Sequence, residues 1–148
     1  MANVFENKKK VIIVGSGRLG CGLACLYYDR GYDVVIIDND ESAWNKLPLN
    51  FGGLKITADG SDLDTLRYVG IDLASTFFAV TENDNLNSFI AQIAARVFSV
   101  NDVYARFGDT DKDKHIQGFN IFGIYPFRLT MDSFEKMLDT NGEDGDVR

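Results

Sequence analysis

The 148-residue sequence predicts an α/β fold: a single domain on a doubly wound, mostly parallel six-stranded sheet. Three observations predict it. Short apolar runs of strand length alternate with amphipathic segments of helical period from end to end. Strands separated by helices pair in parallel through right-handed crossovers. The first apolar run leads straight into Gly15-Ser-Gly-Arg-Leu-Gly20, a tight turn that opens a helix.

The elements follow in order. Residues 10–14 form a continuous apolar run, the pattern of a strand covered on both faces. Residues 18–30 read as a helix with Leu19, Leu23, Leu26 and Tyr27 on one stripe, closed by Gly31 as a left-handed cap. Residues 33–37 are the second strand, and 41–47 a short helix stopped by Pro48. Residues 54–58 are the third strand. Residues 62–69 follow as a helix, with Leu63 and Leu66 inward and Gly70 at its end. Residues 76–80 are the fourth strand.

The helix at 84–98 carries the strongest periodicity, with Leu86, Phe89, Ile90, Ile93, Ala94 and Val97 on one face. Residues 103–105 are the fifth strand, 109–117 a polar helix and 121–124 the sixth strand. A last helix at 127–138 aligns Phe127, Met131, Phe134 and Leu138. Residues 1–8 are a lead-in, 9–138 the domain, and 139–148 a flexible acidic tail rich in glycine.

Composition narrows the function. The chain has 22 acidic and 15 basic side chains and a net charge of -7, which argues against nucleic acid as a partner. Its one cationic run, Lys8 to Lys10, reads as a solvated approach to a buried strand. No apolar run is long enough to span a bilayer, and the start does not resemble a signal peptide. Cys21 and Cys25 lie one helical turn apart and read as two thiols on a helix face, which fits a reducing cytoplasm. With a single histidine, His115, a zinc site lacks ligands. No metal site and no catalytic residue is expected.

The glycine motif alone is a weak signal, but its strand–turn–helix setting is the one phosphate binding requires. Gly15 allows the turn, Gly17 leaves room for a phosphate, and Gly20 lets the helix approach the sheet. The helix N-terminus then offers unpaired amides and partial positive charge to an anion. Asp38 ends the second strand, where an acid bonds ribose hydroxyls in a Rossmann-type domain. A carboxylate there disfavours a 2′-phosphate. The expected ligand is an adenine nucleotide, NAD, NADH, ATP, ADP or AMP, and not NADP. Further polar positions fall at the carboxyl ends of strands, where open parallel sheets bind ligands. They are Asp59, Gly60 and Ser61; then Thr81, Asp84 and Asn87; then Arg106. Some of these neighbourhoods also read as helix caps, with Ser61 or Asp62 and Thr81 or Asn83 as the capping pairs.

These segments together resemble the N-terminal nucleotide-binding lobe of the RCK/TrkA family. The shared pattern is Gly15-Ser-Gly-Arg-Leu-Gly20, Asp38, the Ala58-Asp-Gly-Ser-Asp62 segment, Thr81-Glu-Asn-Asp-Asn-Leu-Asn87, and Ala105-Arg106. Ala58 and Gly60 permute the family's usual glycine and alanine around Asp59. The chain ends where a full-length member continues into a C-terminal ligand-binding lobe. The resemblance implies a cytoplasmic regulatory subunit of a potassium uptake system, held at the inner face of the membrane by its transporter. It implies a homodimer or higher oligomer, a membrane potassium transporter subunit as partner, and a separate partner bearing the C-terminal lobe. The implied binding residues are Gly15, Ser16, Gly17, Arg18, Leu19, Gly20, Asp38, Asn39, Asp59, Gly60, Ser61, Thr81, Asp84, Asn87 and Arg106. Arg18 in particular would reach a terminal phosphate on its own or a neighbouring subunit. The alternative is an NAD-dependent oxidoreductase domain, although the sequence has no Tyr-x-x-x-Lys pair and its one histidine lies in a polar late segment. A protein-binding scaffold with no ligand is weakened by the intact glycines and Asp38.

Overall fold

The computed structural model describes residues 8–108, 114 and 116–144. It contains strands β1 (Lys10–Val14), β2 (Asp33–Asp38), β3 (Leu54–Thr57), β4 (Ala74–Ala79), β5 (Asp102–Arg106) and β6 (Ile121–Ile124). The α-helices are α1 (Arg18–Asp29), α2 (Leu63–Tyr68), α3 (Asp84–Gln92) and α4 (Pro126–Asp144). The strands form one sheet in the order β3-β2-β1-β4-β5-β6, and every neighbouring pair is parallel. The sheet is therefore wholly parallel. The chain winds outward from β1 in one direction and from β4 in the other. The crevice between the carboxyl ends of β1 and β4 is the switch point where such sheets take ligands.

Two apolar layers cover the sheet. One face buries Ile12, Val35, Phe77 and Val103 against Leu66 of α2 and Ile90, Ala91 and Ala94 of the α3 segment. The other buries Val11, Ile13, Val34 and Phe78 against Cys21 and Ala24 of α1. Both faces of β1 and β2 are thus dry, which is why these strands read as unbroken apolar runs.

Several elements depart from the expected pattern, each for a physical reason. On α1 the buried residues are the small ones, Gly20, Cys21 and Ala24, while Leu26 is 46% exposed. Small side chains let the helix lie close to the sheet, and Leu19, Leu23 and Tyr27 flank that seam. Along α3 and the turn that continues it, the buried face runs through Asn87, Ile90, Ala91 and Ala94, leaving Phe89 and Val97 more than half exposed. The helix after Gln92 also widens to a π turn over Ile93–Val97, with the Phe98 amide bonded to the Ile93 carbonyl. Leu63 lies at the entrance of α2 and is 38% exposed, so only Leu66 anchors that helix. The segment after β2 is a 3₁₀ helix, Glu41–Lys46. Gly31 and Gly70 take the left-handed conformation expected of helix ends.

The last helix is longer than its apolar stripe, and Asp139–Asp144, expected in the tail, are helical. Every described side chain of α4 from Phe127 to Gly142 is exposed. The helix expected over 109–117 falls largely outside the described residues, as do His115, residues 1–7 and residues 145–148. Among the described residues no helix is long and apolar enough to cross a membrane.

Candidate functional site

A cavity of about 760 Å³ opens at the switch point, above the carboxyl ends of β1, β2, β3 and β4. Its floor is the glycine turn between β1 and α1. Gly15 has φ of +108°, and a Cβ there would stand 2.7 Å from the Val80 carbonyl oxygen, so only glycine fits. Gly17 is the N-cap of α1 and provides no side-chain cap for the first-turn amides. No neighbouring protein atom lies within 4 Å of where its Cβ would be, and the first turn carries no acid. Uncapped amides facing an open cavity suit an anion. Arg18 is exposed at this mouth and makes no hydrogen bond or ion pair to the described residues.

Asp38 forms the adjoining wall. Its Oδ2 accepts from the Ser16 amide at 2.9 Å and from the Ser16 hydroxyl at 2.7 Å, and its Oδ1 accepts from the Asp40 amide at 2.9 Å. Burial pushes this carboxyl up. The Ser16 hydroxyl, the Ser16 and Asp40 amides and the Lys46 charge together outweigh it and hold the group below the usual carboxylate range. Asp38 is therefore an anion with fixed orientation. Asp59 is also held low, by the hydroxyl of Ser61 at 2.6 Å and its amide at 2.9 Å. Burial pushes the Cys21 thiol up, and its sulfur donates to the Ser16 carbonyl at 3.2 Å.

Twelve of the expected residues line this cavity: Gly15, Ser16, Gly17, Arg18, Leu19, Asp38, Asn39, Asp59, Gly60, Ser61, Thr81 and Arg106. Three do not. Gly20 is a packing residue, since a Cβ there would collide with the Gly15 carbonyl oxygen. Asp84 accepts the Gly108 amide on both carboxylate oxygens, at 3.0 and 3.1 Å, tying the start of α3 to the chain beyond β5. Asn87 is fully buried. Its amide nitrogen donates to the carbonyls of Thr81 and Arg106, each at 2.9 Å, and its oxygen accepts from the Thr81 amide and hydroxyl. Asn87 thus shapes the cavity wall from behind. Gly60 turns towards Val14, whose side chain fills the space a Cβ would take.

The capping alternatives resolve in favour of Asp62 and Asn83. Asp62 accepts from the Asp64 amide and Asn83 from the Leu86 amide. Ser61 and Thr81 remain at the cavity. Arg106 lines the cavity with its guanidinium donating to the Thr81 carbonyl at 3.2 Å.

Sequence reasoning missed Asp40 at the cap of the 3₁₀ segment, Ala43 and Lys46 on it, Glu82 after β4, and Pro126 at the start of α4. Spacing from a motif could not reveal them. The 3₁₀ segment is steered to the cavity by the Asp40 cap on Ser42 and by the Trp44 indole donating to Thr57. Among the described residues no group of three or more His, Cys, Asp or Glu could hold a metal ion.

A parallel doubly wound sheet with a glycine turn and an ionised acid at its switch point defines a Rossmann-type domain. The chain belongs to the TrkA-N domain family, whose model matches residues 11–124. It is 36% identical over 132 residues to the Trk system potassium uptake protein TrkA of Streptomyces coelicolor, covering 89% of this chain and 59% of that one. It is 33% identical over 132 residues to the TrkA homolog of Methanothermobacter thermautotrophicus, covering 86% and 59%. The chain thus spans about three fifths of these relatives. Among solved structures, the TrkA-N domain of the inner membrane protein ybaL from Escherichia coli superposes with a TM-score of 0.77 at 16% identity, covering 90% of this chain and 99% of that one. The GsuK channel bound to NAD gives 0.75 at 21% identity over 95% and 25%, and GsuK bound to ADP gives 0.74 at 22% over 90% and 34%.

Proposed function

We propose that this chain is a cytoplasmic nucleotide-binding regulatory subunit of a potassium uptake system. It senses NAD(H) or ATP, ADP and AMP and gates a membrane transporter, at the inner face of the membrane. The observation that carries the reading is the pairing of Asp38 with the uncapped N-terminus of α1 across one cavity. An anion-ready helix end takes the phosphates, and a fixed carboxylate takes the ribose. The relatives named as potassium uptake proteins support the system, and the neighbours solved with ADP and NAD support the ligand class. Asp38 is the ground for excluding NADP, because a 2′-phosphate would bring a second anion against it.

Regulation requires a ligand difference to become a difference in assembly. Pro126 lines the cavity and begins α4, whose exposed Phe127, Met131, Phe134 and Leu138 share one stripe. That stripe supports a homodimer or higher oligomer, with α4 carrying the signal. The transporter subunit completes the assembly. The chain is read as a sensor and not an enzyme. A thermal-shift screen with NAD, NADH, ATP, ADP, AMP and NADP tests the ligand class. A change in nicotinamide absorbance with candidate substrates would instead establish a dehydrogenase.

A further inference from the structure

A carboxylate offers about four acceptor positions on its two oxygens. Asp38 has three of them filled. The amide and hydroxyl of Ser16 occupy Oδ2, and the Asp40 amide occupies one position on Oδ1. A vicinal ribose diol that grips a carboxylate with both hydroxyls needs an open position on each oxygen. Oδ2 has none left, and Oδ1 has one.

Ser16 cannot step aside easily. It is 1% exposed, it follows Gly15 in its left-handed conformation, and its carbonyl accepts the Cys21 thiol. Its amide donor would be supplied by any residue except proline at this position. The hydroxyl is the additional donor that serine brings, and at 2.7 Å it is the shorter of the two bonds.

We propose that the Ser16 hydroxyl is a specificity determinant: it limits Asp38 to reading one hydroxyl of an adenosine ribose instead of both. The inference rests on the nucleotide reading above and deepens it. Without that hydroxyl, Oδ2 regains an open position and the second ribose hydroxyl is read as well.

The test is calorimetric titration of the native chain, Ser16→Ala and Ser16→Gly with ADP, 2′-deoxy-ADP and 3′-deoxy-ADP. In the native chain, one deoxy analogue is expected to bind within about twofold of ADP. The other is expected to lose about tenfold or more, the loss of one hydrogen bond to a charged acceptor. In both variants each analogue should lose affinity relative to ADP. A serine that only supported the loop would weaken all three ligands together and leave their ratios unchanged, and that result overturns the proposal. So do equal losses for both analogues in the native chain, a measurement that stands even where neither variant folds. If ADP, NAD and ATP all fail to bind the native chain, the nucleotide reading itself falls and this inference with it.

Discussion

Ser16 places two donors on one oxygen of Asp38, its amide at 2.9 Å and its hydroxyl at 2.7 Å, across 22 residues of sequence. The glycine turn and the acid at the end of β2 are therefore one hydrogen-bonded unit. The contact also sets a pH dependence. The folded pKa of Asp38 lies below its unfolded value of about 3.9. Its stabilising contribution is fully present above the unfolded value and is lost as pH falls through the folded one. Asp38→Asn should be less stable than the native chain at neutral pH, and the difference should shrink as pH falls below about 4. Urea denaturation from pH 7 to pH 3 checks this; a gap that widens on acidification would contradict it.

Asn87 should matter to stability and not to ligand choice. It holds the Thr81 amide and the carbonyls of Thr81 and Arg106 from inside the core. Asn87→Ala would remove the acceptor of the Thr81 amide and the side-chain donor to the Arg106 carbonyl, while the Thr81 carbonyl keeps the Arg106 guanidinium. The expected cost is roughly 2–4 kcal/mol, read as a lower Tm. The ratio of NAD to NADP affinity should stay constant in any folded variant.

Arg18 should distinguish ligands by phosphate number. It lies exposed at the mouth of the cavity beside the first turn of α1, with no described acid holding it. On the proposed function, a guanidinium there would meet a terminal phosphate and leave the backbone amides to the inner ones. A ligand shifts an assembly only by its differential affinity for the two states, so ATP and ADP have to differ here. Arg18→Ala should weaken ATP more than ADP, and ADP more than AMP, in calorimetric titrations. Equal losses for all three, or none, would remove Arg18 from phosphate counting.

The α4 stripe should hold copies together. Phe127 and Phe134 are 73% and 52% exposed, and Met131 and Leu138 continue the row. Burial of such side chains contributes about 1.5–3 kcal/mol each when complete. Light scattering at high concentration should give more than a monomer for the native chain and a smaller species for Phe134→Glu. A native monomer, with and without ADP, would count against the assembly.

The fold was legible because both faces of the sheet are covered. β1, β2 and β4 therefore wrote themselves as apolar runs, and their helices as amphipathic ones. The glycine turn was legible because Gly15 and Gly20 stand where no Cβ fits, and Asp38 because it closes the second apolar run. Helix rotation was not. Apolar periodicity put Phe89 and Val97 inward on α3, whereas Asn87 occupies the interior because three backbone groups need it there. On α1 the large leucines masked the small residues that actually meet the sheet. Lys46 and Pro126 reach the cavity through the paths of a 3₁₀ segment and a helix start, which no local pattern announces.

On the proposed function, Asp38 and the start of α1 together bind an adenosine ribose that lacks a 2′-phosphate, and the 5′-phosphates attached to it. The most direct measurement is titration of the native chain and Asp38→Ala with ADP, NAD and NADP. Trp44, the single tryptophan, lies on the segment that lines the cavity and serves as the fluorescence reporter. The expected result is saturable binding of ADP and NAD by the native chain, markedly weaker NADP, and a loss of about 1–3 kcal/mol for ADP and NAD in Asp38→Ala. Equal affinity for NAD and NADP, or undiminished ADP binding in the variant, would contradict it.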